Sequence, residues 1–373
     1  MINNTENFIF NFCVFIVIFL FQIAKPKITR KEIYFGIRIP ENERDNALLK
    51  KVYNRYLILN TVIFGIFIVI IMYIFLNYYA SIEYTILILL YLLFTLIIYM
   101  FSNKKVFKIK QKQCWNSEKK QIVTIDTNFS KDKSTKSLVS PWWFFVSVLM
   151  IAITFYIGFK YYNFLPEIVP THWDFAGEVN GNMIKSSKII YVIPKFQVVF
   201  LIIFFGLYKV IGWGKQQLNT SSPQQSKEKN KRFRYIWSGY MVFAATIINL
   251  FFLYTNLIIF QVAQLSGKSM IILLIIIISI LAAVFIYLSI YTGQGGSRLK
   301  IKDNVASNGN KMLDRNDDKY WKFGIFYINK EDATIFIEKR FGVGWTVNLG
   351  RMEGILLAVG VGILILIFPY ILN

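Results

Sequence analysis

The sequence predicts an all-α polytopic membrane protein of about eight transmembrane helices, with a small cytoplasmic module of mixed or β-hairpin character before the last helix. The first observation behind this prediction is composition, since 55% of the residues are hydrophobic and the mean hydropathy is +0.47. The second is a series of apolar runs of about 20 residues, the length that crosses a bilayer as a helix. The third is that basic residues collect between these runs. The lipid bilayer is therefore the first partner that the sequence predicts.

The apolar runs divide the chain into six parts. These are 1–140, an N-terminal three-helix membrane region with basic loops; 141–213, a helix, a polar loop and a helix; 214–235, a flexible basic loop; 236–293, a two-helix membrane region; 294–351, the C-terminal module; and 352–373, the last transmembrane helix. Apolar residues at helical spacing before residue 56 predict an interfacial helix that runs into the second span. Alternating residues in 121–129 predict a short strand. Pro194 is expected to interrupt the fifth span, and no internal repeat is evident.

The positive charge lies on one side of the predicted membrane. The chain carries 42 Lys and Arg against 21 Asp and Glu, a formal net charge of +21. Of the 42, 37 fall in the four segments 25–55, 103–140, 209–234 and 298–351. Basic loops stay in the cytoplasm, so both termini and the polar stretch 165–188 are predicted to lie outside. Because the charge is spread over several loops without a recognised binding motif, nucleic acid is not a predicted partner.

The cysteine and histidine counts argue against a disulfide framework or a metal centre. Cys13 lies in an apolar run and Cys114 in a basic loop, and neither belongs to a CxxC motif. The chain has one histidine, His172, which makes a histidine-based zinc site an unfavourable interpretation. No metal and no cofactor is predicted.

The polar stretch 165–188, LPEIVPTHWDFAGEVNGNMIKSSK, lies between two apolar runs and is the leading candidate for a functional site. Pro166 and Pro170 each remove a backbone donor and favour extended geometry in the residue before them. The chain is therefore expected to leave the fourth span, form a structured cap and re-enter the membrane. Asn180-Gly181 is a tight-turn signal within this cap.

His172 has two interpretations. It is a ligand-binding or proton-sensing imidazole oriented by Asp174, or it is a structural histidine whose ring bonds a backbone carbonyl. A metal site would need His172, Asp174 and Glu178 to converge. A hydrolase would need a nucleophile and an orienting base within reach, and Thr171 and the serines at 186–187 are too generic to identify one. The chain is therefore predicted not to be an enzyme.

Two sets of polar residues fall inside predicted spans. Lys195, in the fifth span, is costly in a membrane and either faces a partner or water, or extends its side chain to the interface. Asn249 and Asn256 recur at near-helical spacing in the sixth span, with Thr246 and Gln261 on the same stripe. These amides predict either hydrogen bonds between helices or the lining of a solute path.

The C-terminal module is expected to contain a hairpin. Gly342 and Gly344 allow a sharp turn between the strand-like segments 335–341 and 345–349, and 329–332 predict the preceding turn. Trp321 and Trp345 are interpreted as interfacial anchors, because the last span starts soon after them. The alternative is that the module is a docking platform for another protein.

The first of two family resemblances lies in the polar stretch. It resembles a segment of the domain of unknown function found in SdpI-type bacterial immunity proteins, LP-x-x-[IV]-P-[TM]-H-[WF]-x-x-x-G-x-x-[DN]-G-x-x-x-K. The matching positions are Leu165, Pro166, Pro170, His172, Trp173, Gly177, Asn180, Gly181 and Lys185. Asn180 replaces the acid often found there, which removes a charge that a divalent cation would need. The stretch FGIRIP, 35–40, is similar to a G-I-R-T-P segment of the same proteins, where it follows the loop motif.

The second resemblance lies in residues 314–350, which are similar to a second small domain of unknown function that often accompanies the first. The matching positions are Trp321, Gly324, Tyr327, Asn329, Asp332, Arg340, Gly342, Gly344, Trp345 and Asn348.

The resemblances imply an integral membrane protein of the plasma membrane of a Gram-positive-type bacterium. In the best-understood branch of the family, they imply protection against a secreted peptide toxin and capture of a transcriptional repressor at the membrane. The leading hypothesis is a non-enzymatic protein that binds or senses an extracellular peptide or envelope component and holds a cytoplasmic regulator protein. A transporter or channel for a small solute or ion is the second hypothesis, and an envelope hydrolase that uses His172 is the third.

Overall fold

The structure is a computed structural model of the 373-residue chain. It describes residues 2–29, 32–77, 82–115, 137–174, 177–214, 223–263, 266–300, 317–340 and 344–372. The chain forms two compact units. The first unit contains Met1–Ile125, Gln216–Ser226 and Lys302–Ile355, and the second contains Asp126–Lys215, Lys227–Ile301 and Leu356–Asn373.

Helices account for most of the described residues. They are α1 Ile2–Ile28, α2 Ala47–Asn77, α3 Ile82–Lys112, α4 Phe145–Tyr161, α5 Ile189–Trp213, α6 Pro223–Ile259, α7 Gly267–Thr292 and α8 Met352–Leu372. In the described part of the chain, the six helices α2 to α7 are long and apolar enough to cross a membrane. α1 and α8 contain the shorter apolar stretches Asn11–Ala24 and Met352–Ile363. The predicted helical membrane protein is confirmed, and six of its eight predicted spans meet the length and composition of a crossing helix.

The strands form four antiparallel hairpins of two strands each. They are β1 Ile33–Tyr34 with β2 Ile37–Arg38, β3 Ile168–Trp173 with β4 Val179–Ile184, β5 Trp321–Lys322 with β6 Phe326–Tyr327, and β7 Phe336–Glu338 with β8 Trp345–Val347. The last two hairpins build the C-terminal module, which confirms its predicted hairpin character. The β3–β4 hairpin is the cap expected between the fourth and fifth spans.

Several predicted element boundaries are wrong. α6 begins at Pro223, so much of the predicted 214–235 loop is helical. The Gln, Lys, Glu and Arg residues that suggest a flexible loop by composition are also good helix formers. α3 continues to Lys112, into the predicted basic loop. α5 continues through Pro194, which lies in its second turn and so removes one bond near the helix start instead of breaking the helix. The predicted strand at 121–129 lies outside the described residues.

The predicted interfacial helix and the second span form one helix. α2 runs from Ala47 to Asn77 without a break, as the helical spacing before residue 56 predicts. In the first unit, α1, α2 and α3 enclose an aromatic core at the level of Phe15, Phe67 and Tyr91. A second core packs the β1–β2 hairpin against α2 and α3, centred on Phe35 and Tyr56 with their rings 4.9 Å apart.

Two hairpins of the first unit share the same turn. Phe35-Gly36-Ile37 and Phe323-Gly324-Ile325 both place a phenylalanine and a glycine at positive φ, 46° and 77° in the first turn and 55° and 69° in the second. This left-handed pair is typical of a type I′ turn, which matches the twist of the strands. The β1–β2 loop has two residues, whereas three residues separate the paired Lys322 and Phe326 in the second hairpin. Both turns have the sequence Phe-Gly-Ile.

The second unit is built around α4, α5 and α6. Its apolar core takes residues from all three helices and from the β3–β4 hairpin, namely Ile157, Leu165, Val169, Ile189, Ile190, Ile193, Ile259 and Phe260. Because Val169 is completely buried in this core, the hairpin is packed onto the helices as part of the fold.

Candidate functional site

The leading candidate site is the β3–β4 hairpin. Its strands pair Ile168 with Ile184 at the base and Trp173 with Val179 near the tip. A register shift lies on each side of His172, which pairs with Gly181. Asn180 and Gly181 therefore lie within β4, and the prediction that they form the tight turn is wrong. Beyond Trp173 and Val179, the backbone N–H of Gly177 donates to the carbonyl of Asp174 at 2.9 Å, and Gly177 has a φ of 79°.

Lys185 holds the base of the hairpin. Its Nζ donates hydrogen bonds to the backbone carbonyls of Asn163 and Leu165, at 3.0 and 2.8 Å. The same ammonium lies 5.4 Å from the centre of the Tyr162 ring. These carbonyls lie just after α4, where the last turns of a helix leave acceptors without intrahelical donors. The sequence-predicted Lys185 thus positions the hairpin on the helix end.

The tip of the hairpin packs closely on the start of α7. A Cβ on Gly177 would lie 2.6 Å from the carbonyl carbon of Gly267, and a Cβ on Gly267 would lie 2.6 Å from Cδ1 of Trp173. No real Cβ is accommodated at such distances, so both glycines are needed for the contact. Glycine is required at Gly177 for a second reason, its positive φ.

His172 is exposed, and its ring contacts a side chain instead of a backbone carbonyl. Nδ1 lies 2.5 Å from Oδ1 of Asn180. Because an amide oxygen only accepts, Nδ1–H is the donor, and Nε2 is an acceptor when the ring is neutral. Both earlier interpretations of the ring's partners are wrong. Asp174 Oδ1 accepts from the backbone N–H of Glu178 at 2.9 Å and does not orient His172.

The hairpin has two faces with different roles. Val169 points into the core, whereas Ile168 and Ile184 are 64% and 81% exposed. His172 and Asn182 are also exposed. A Cβ on Gly181 would lie 2.8 Å from Cβ of His172, so a larger residue there would displace the imidazole. The exposed side chains of the hairpin are therefore apolar at its base and polar, an imidazole and amides, nearer its tip.

A second candidate site is a buried ion cluster in the first unit. Lys110, at the end of α3, places its Nζ 2.8 Å from Oδ2 of Asp318. Arg340 donates to Oδ1 of Asp317 at 2.5 Å and also to Oδ1 of Asp318. Nε of Arg38 lies 3.4 Å from Oδ1 of Asp317. The side chains of Lys110, Asp318 and Arg340 are 2–3% exposed, so each charge depends on its partners for compensation.

The cluster joins the β1–β2 hairpin to the C-terminal module. Arg340 also donates to the backbone carbonyl of Gly36 at 2.7 Å, and Asn103 of α3 donates to the carbonyl of Phe35 at 2.7 Å. The FGIRIP stretch and the 317–340 stretch are thus parts of one packed structure. Nearby, burial raises the pKa of Tyr34 to about 12, although the positive charge of Arg44 opposes the rise.

Inside the module, the sequence-predicted residues build the fold. Asn348 is fully buried, and its Nδ2 donates to the carbonyls of Asn329, Asp332 and Thr334, at 2.8, 3.0 and 3.2 Å. Tyr327 Oη donates to Oδ2 of Asp332 at 3.1 Å. These bonds fix the predicted 329–332 turn.

Trp321 does not lie where an interfacial anchor would. It is 5% exposed, and its ring lies 5.2 Å from that of Tyr327 and 5.1 Å from Cζ of Arg340. The interpretation of Trp321 as an anchor is therefore wrong, because its indole packs inside the module. Gly344 has a φ of 123° before β8, Trp345 is half-buried, and Gly342 lies outside the described residues.

The intramembrane polar residues of the second unit separate into two groups. Lys195 is exposed on α5. Gln197 of α5 donates to the carbonyl of Asn249 at 3.1 Å, and Asn256 of α6 donates to the carbonyl of Thr154 in α4 at 3.2 Å. The amide nitrogens therefore link helices. The amide oxygens of Gln197, Asn249 and Asn256 are buried and have no hydrogen-bond partner among the described residues.

The buried ion cluster is not predicted by the sequence analysis. Asp317 and Asp318 are adjacent in a stretch of mixed charge, and nothing local distinguishes them from solvated acids. A sequence signal for the link between these segments is the occurrence of Phe-Gly-Ile in both hairpins, whose turns bring Gly36 and Gly324 together. In the described part of the chain, no group of three or more His, Cys, Asp or Glu residues is arranged to hold a metal ion.

Comparison with known families identifies two short matches. The family model of a domain of unknown function (DUF1648) matches residues 149–198, which contain the β3–β4 hairpin between parts of α4 and α5. That of a family of unknown function (DUF5808) matches residues 330–352, which contain the β7–β8 hairpin. No curated protein and no solved structure matches the chain. The two resemblances noted in the sequence thus correspond to two domains of unknown function, which together cover less than half of the chain.

Proposed function

We propose that the chain is a non-enzymatic protein of the SdpI-related type in the bacterial plasma membrane, which binds an extracellular peptide or envelope component on the outward face of the β3–β4 hairpin. The concentration of Lys and Arg in four segments supports an orientation with this hairpin outside and the C-terminal module in the cytoplasm. In this orientation the module would hold a cytoplasmic regulator protein.

The observation that carries this proposal is the difference between the side chains that anchor the hairpin and those that it leaves exposed. Val169, Lys185 and Gly177 fix the hairpin on the helices. His172, Asn180 and Asn182 are exposed, so they contribute little to packing. Exposed polar and aromatic groups on a rigid scaffold are the usual form of a recognition surface. A segment that merely connected two helices would need neither this rigidity nor this display.

The chemistry of the face suits a peptide. The Nε2 of neutral His172 accepts a hydrogen bond, and the amide of Asn182 both donates and accepts. These are the groups that pair with a peptide backbone. The apolar side chains at the hairpin base, Ile168, Ile184 and Phe164, are 64–81% exposed and would contact apolar side chains of an amphipathic peptide at the membrane surface.

The test is binding of a panel of membrane-active peptides to the full chain in lipid nanodiscs. We expect saturable binding of at least one peptide, and a loss of about tenfold in affinity, or 1.4 kcal/mol, in the double variant His172→Ala, Asn182→Ala. Asn54→Ala, an exposed amide on α2, is the matched control and should bind as the wild type does. Equal affinity of the double variant and the control would refute a binding role for this face.

A second candidate function is transport of a small solute or ion. The buried amide oxygens of Gln197, Asn249 and Asn256 favour it, because polar groups without partners inside a membrane often line a path. The links between helices made by the amide nitrogens of Gln197 and Asn256 favour a purely structural role. Solute flux into proteoliposomes decides between them: a flux that Asn249→Leu abolishes supports transport, and a flat response across ions and small solutes excludes it.

A further inference from the structure

The buried face of α3 is polar along most of its length. Residues with exposed fractions of 0–6% recur at helical spacing on this face, namely Tyr84, Tyr91, Thr95, Tyr99, Ser102 and Asn103. Side chains three, four and seven residues apart share one side of a helix. Membrane helices ordinarily pack through small and apolar residues. α3 instead turns hydroxyls and an amide toward α1 and α2.

Polar groups from α1 and α2 meet this face near its middle. Gln22 of α1 donates from Nε2 to Oγ1 of Thr95 at 3.3 Å. Tyr56 of α2 donates from its hydroxyl to the backbone carbonyl of Gln22 at 2.9 Å. Asn60, one turn further along α2 and completely buried, donates from Nδ2 to the carbonyl of Tyr56 at 2.8 Å. Three helices of the first unit therefore converge on one polar centre.

Four polar atoms of this bundle are buried without a hydrogen-bond partner among the described residues. They are the hydroxyls of Tyr84 and Tyr91, Oε1 of Gln22 and Oδ1 of Asn60. Inside a bilayer an unsatisfied polar group costs several kcal/mol, because no lipid group replaces water. Buried polar groups of this kind are normally satisfied by ordered water. Four such atoms in one bundle need hydrogen-bond partners that the described residues do not supply.

From this arrangement we propose that ordered water molecules occupy the interior of the α1–α3 bundle, along the buried face of α3 from Tyr84 to the centre formed by Gln22 and Asn60. Water fits because it donates to the two amide oxygens and both donates to and accepts from the phenol groups. A cation fits less well. The buried polar groups of α3 between Tyr84 and Asn103 include no carboxylate, so nothing on this face would neutralise the charge of an ion.

At the end away from Tyr84, this water site is closed by protein. Tyr99 follows the polar centre along α3, and a Cβ on Gly36 would lie 2.9 Å from its hydroxyl. Asn103 is bonded to the carbonyl of Phe35, and Arg340 to that of Gly36. The water site therefore ends at the β1–β2 turn.

The experiment is X-ray hydroxyl-radical footprinting of the full chain in nanodiscs, with mass spectrometry of the modified residues. Radicals formed from water at the site label the side chains around it, even where bulk solvent is excluded. We expect Tyr91 to be labelled several-fold faster than Phe15, its dry control. Phe15 is as completely buried as Tyr91, and its ring lies 5.2 Å from that of Tyr91. If Tyr91 is labelled no faster than Phe15, the proposal is wrong.

The variant Asn60→Leu tests the role of the amide. It removes the free Oδ1 while keeping a side chain of similar size, so labelling of Tyr91 should fall toward that of Phe15. Labelling of Tyr91 that Asn60→Leu leaves unchanged would overturn the proposal, because the water would not depend on the polar centre. Tyr91→Phe gives a measurement that does not use labelling. In a dry site it removes an unsatisfied hydroxyl and raises the midpoint of thermal unfolding, whereas in a hydrated site the midpoint stays equal or falls.

Discussion

Gly36 and Gly324 face each other at the turns of two hairpins, and a Cβ on Gly324 would lie 2.5 Å from the Cα of Gly36. The φ angles of both residues are positive, 77° and 69°. The contact joins the β1–β2 hairpin, near the N-terminus, to the β5–β6 hairpin of the C-terminal module. It also leaves the carbonyl of Gly36 accessible to Arg340. Two segments nearly 300 residues apart thus form one structure around a pair of residues without side chains.

Substitution of either glycine by alanine should separate the two hairpins. Gly324→Ala adds a methyl group that collides with backbone and places a non-glycine residue at positive φ, which alone costs about 1–3 kcal/mol. We expect a clear fall in the midpoint of thermal unfolding and faster proteolysis within 317–340. Gly65→Ala is the control, because a Cβ at this helical position meets nothing within 4 Å. A Gly324→Ala protein as stable as Gly65→Ala would contradict the close packing of the turns.

Loss of both Lys110 and Asp318 from the buried ion cluster should cost less than the sum of the two single losses. Lys110→Met removes one positive partner of Asp318. Part of the carboxylate charge is then uncompensated, on a side chain that is only 3% exposed. Removal of one partner of a buried pair typically costs about 3–5 kcal/mol. Asp318→Asn should cost at least as much, because Asp318 also accepts from Arg340 and from the backbone N–H of Arg38.

The double variant Lys110→Met, Asp318→Asn provides the check for the cluster. This variant should lose less stability than the two single variants lose together, because it leaves no unpaired charge from this pair. Chemical denaturation in detergent, followed by tryptophan fluorescence, measures all three variants. Strict additivity would mean that Lys110 and Asp318 do not interact in solution.

Lys50→Met is the control at an exposed ion pair. It removes a bond to Asp45 between side chains that are 60% and 90% exposed, and should change stability by less than about 1 kcal/mol.

The two faces of the β3–β4 hairpin should respond differently to substitution. Lys185→Met removes the bonds to the carbonyls of Asn163 and Leu165, and hydrogen bonds to charged groups contribute about 1.5–3 kcal/mol each. Amide hydrogen exchange in β3 and β4 should accelerate in this variant. His172→Ala should leave the exchange rates unchanged, because the imidazole is exposed. If His172→Ala accelerated exchange as strongly as Lys185→Met does, the outward face would belong to the fold, and the proposed binding role would lose its basis.

The sequence predicts what depends on local pattern and misses what depends on distant partners. Apolar runs, prolines and the Gly342-Val343-Gly344 turn signal predict the spans, the cap and the β7–β8 hairpin because each is encoded within about 25 residues. The pairing of Lys110 with Asp318 spans 208 residues, and no periodicity reports it. Asn180-Gly181 is misread as a turn because its glycine is needed for a different reason, space for the Cβ of His172 across the hairpin. The polar face of α3 can be predicted from helical spacing, since its tyrosines are seven and eight residues apart.

The predicted orientation can be tested with native and introduced cysteines. Cys114 is exposed after the end of α3, in one of the four basic segments, and is expected on the cytoplasmic side. With Cys13 replaced by serine, a membrane-impermeant maleimide should label Cys114 only after the cells are permeabilised. In a Cys13→Ser, Cys114→Ser background, Asn182→Cys on the exposed hairpin face should be labelled in intact cells. Labelling of Cys114 in intact cells would reverse the orientation, place the hairpin in the cytoplasm and exclude it as a receptor for extracellular peptides.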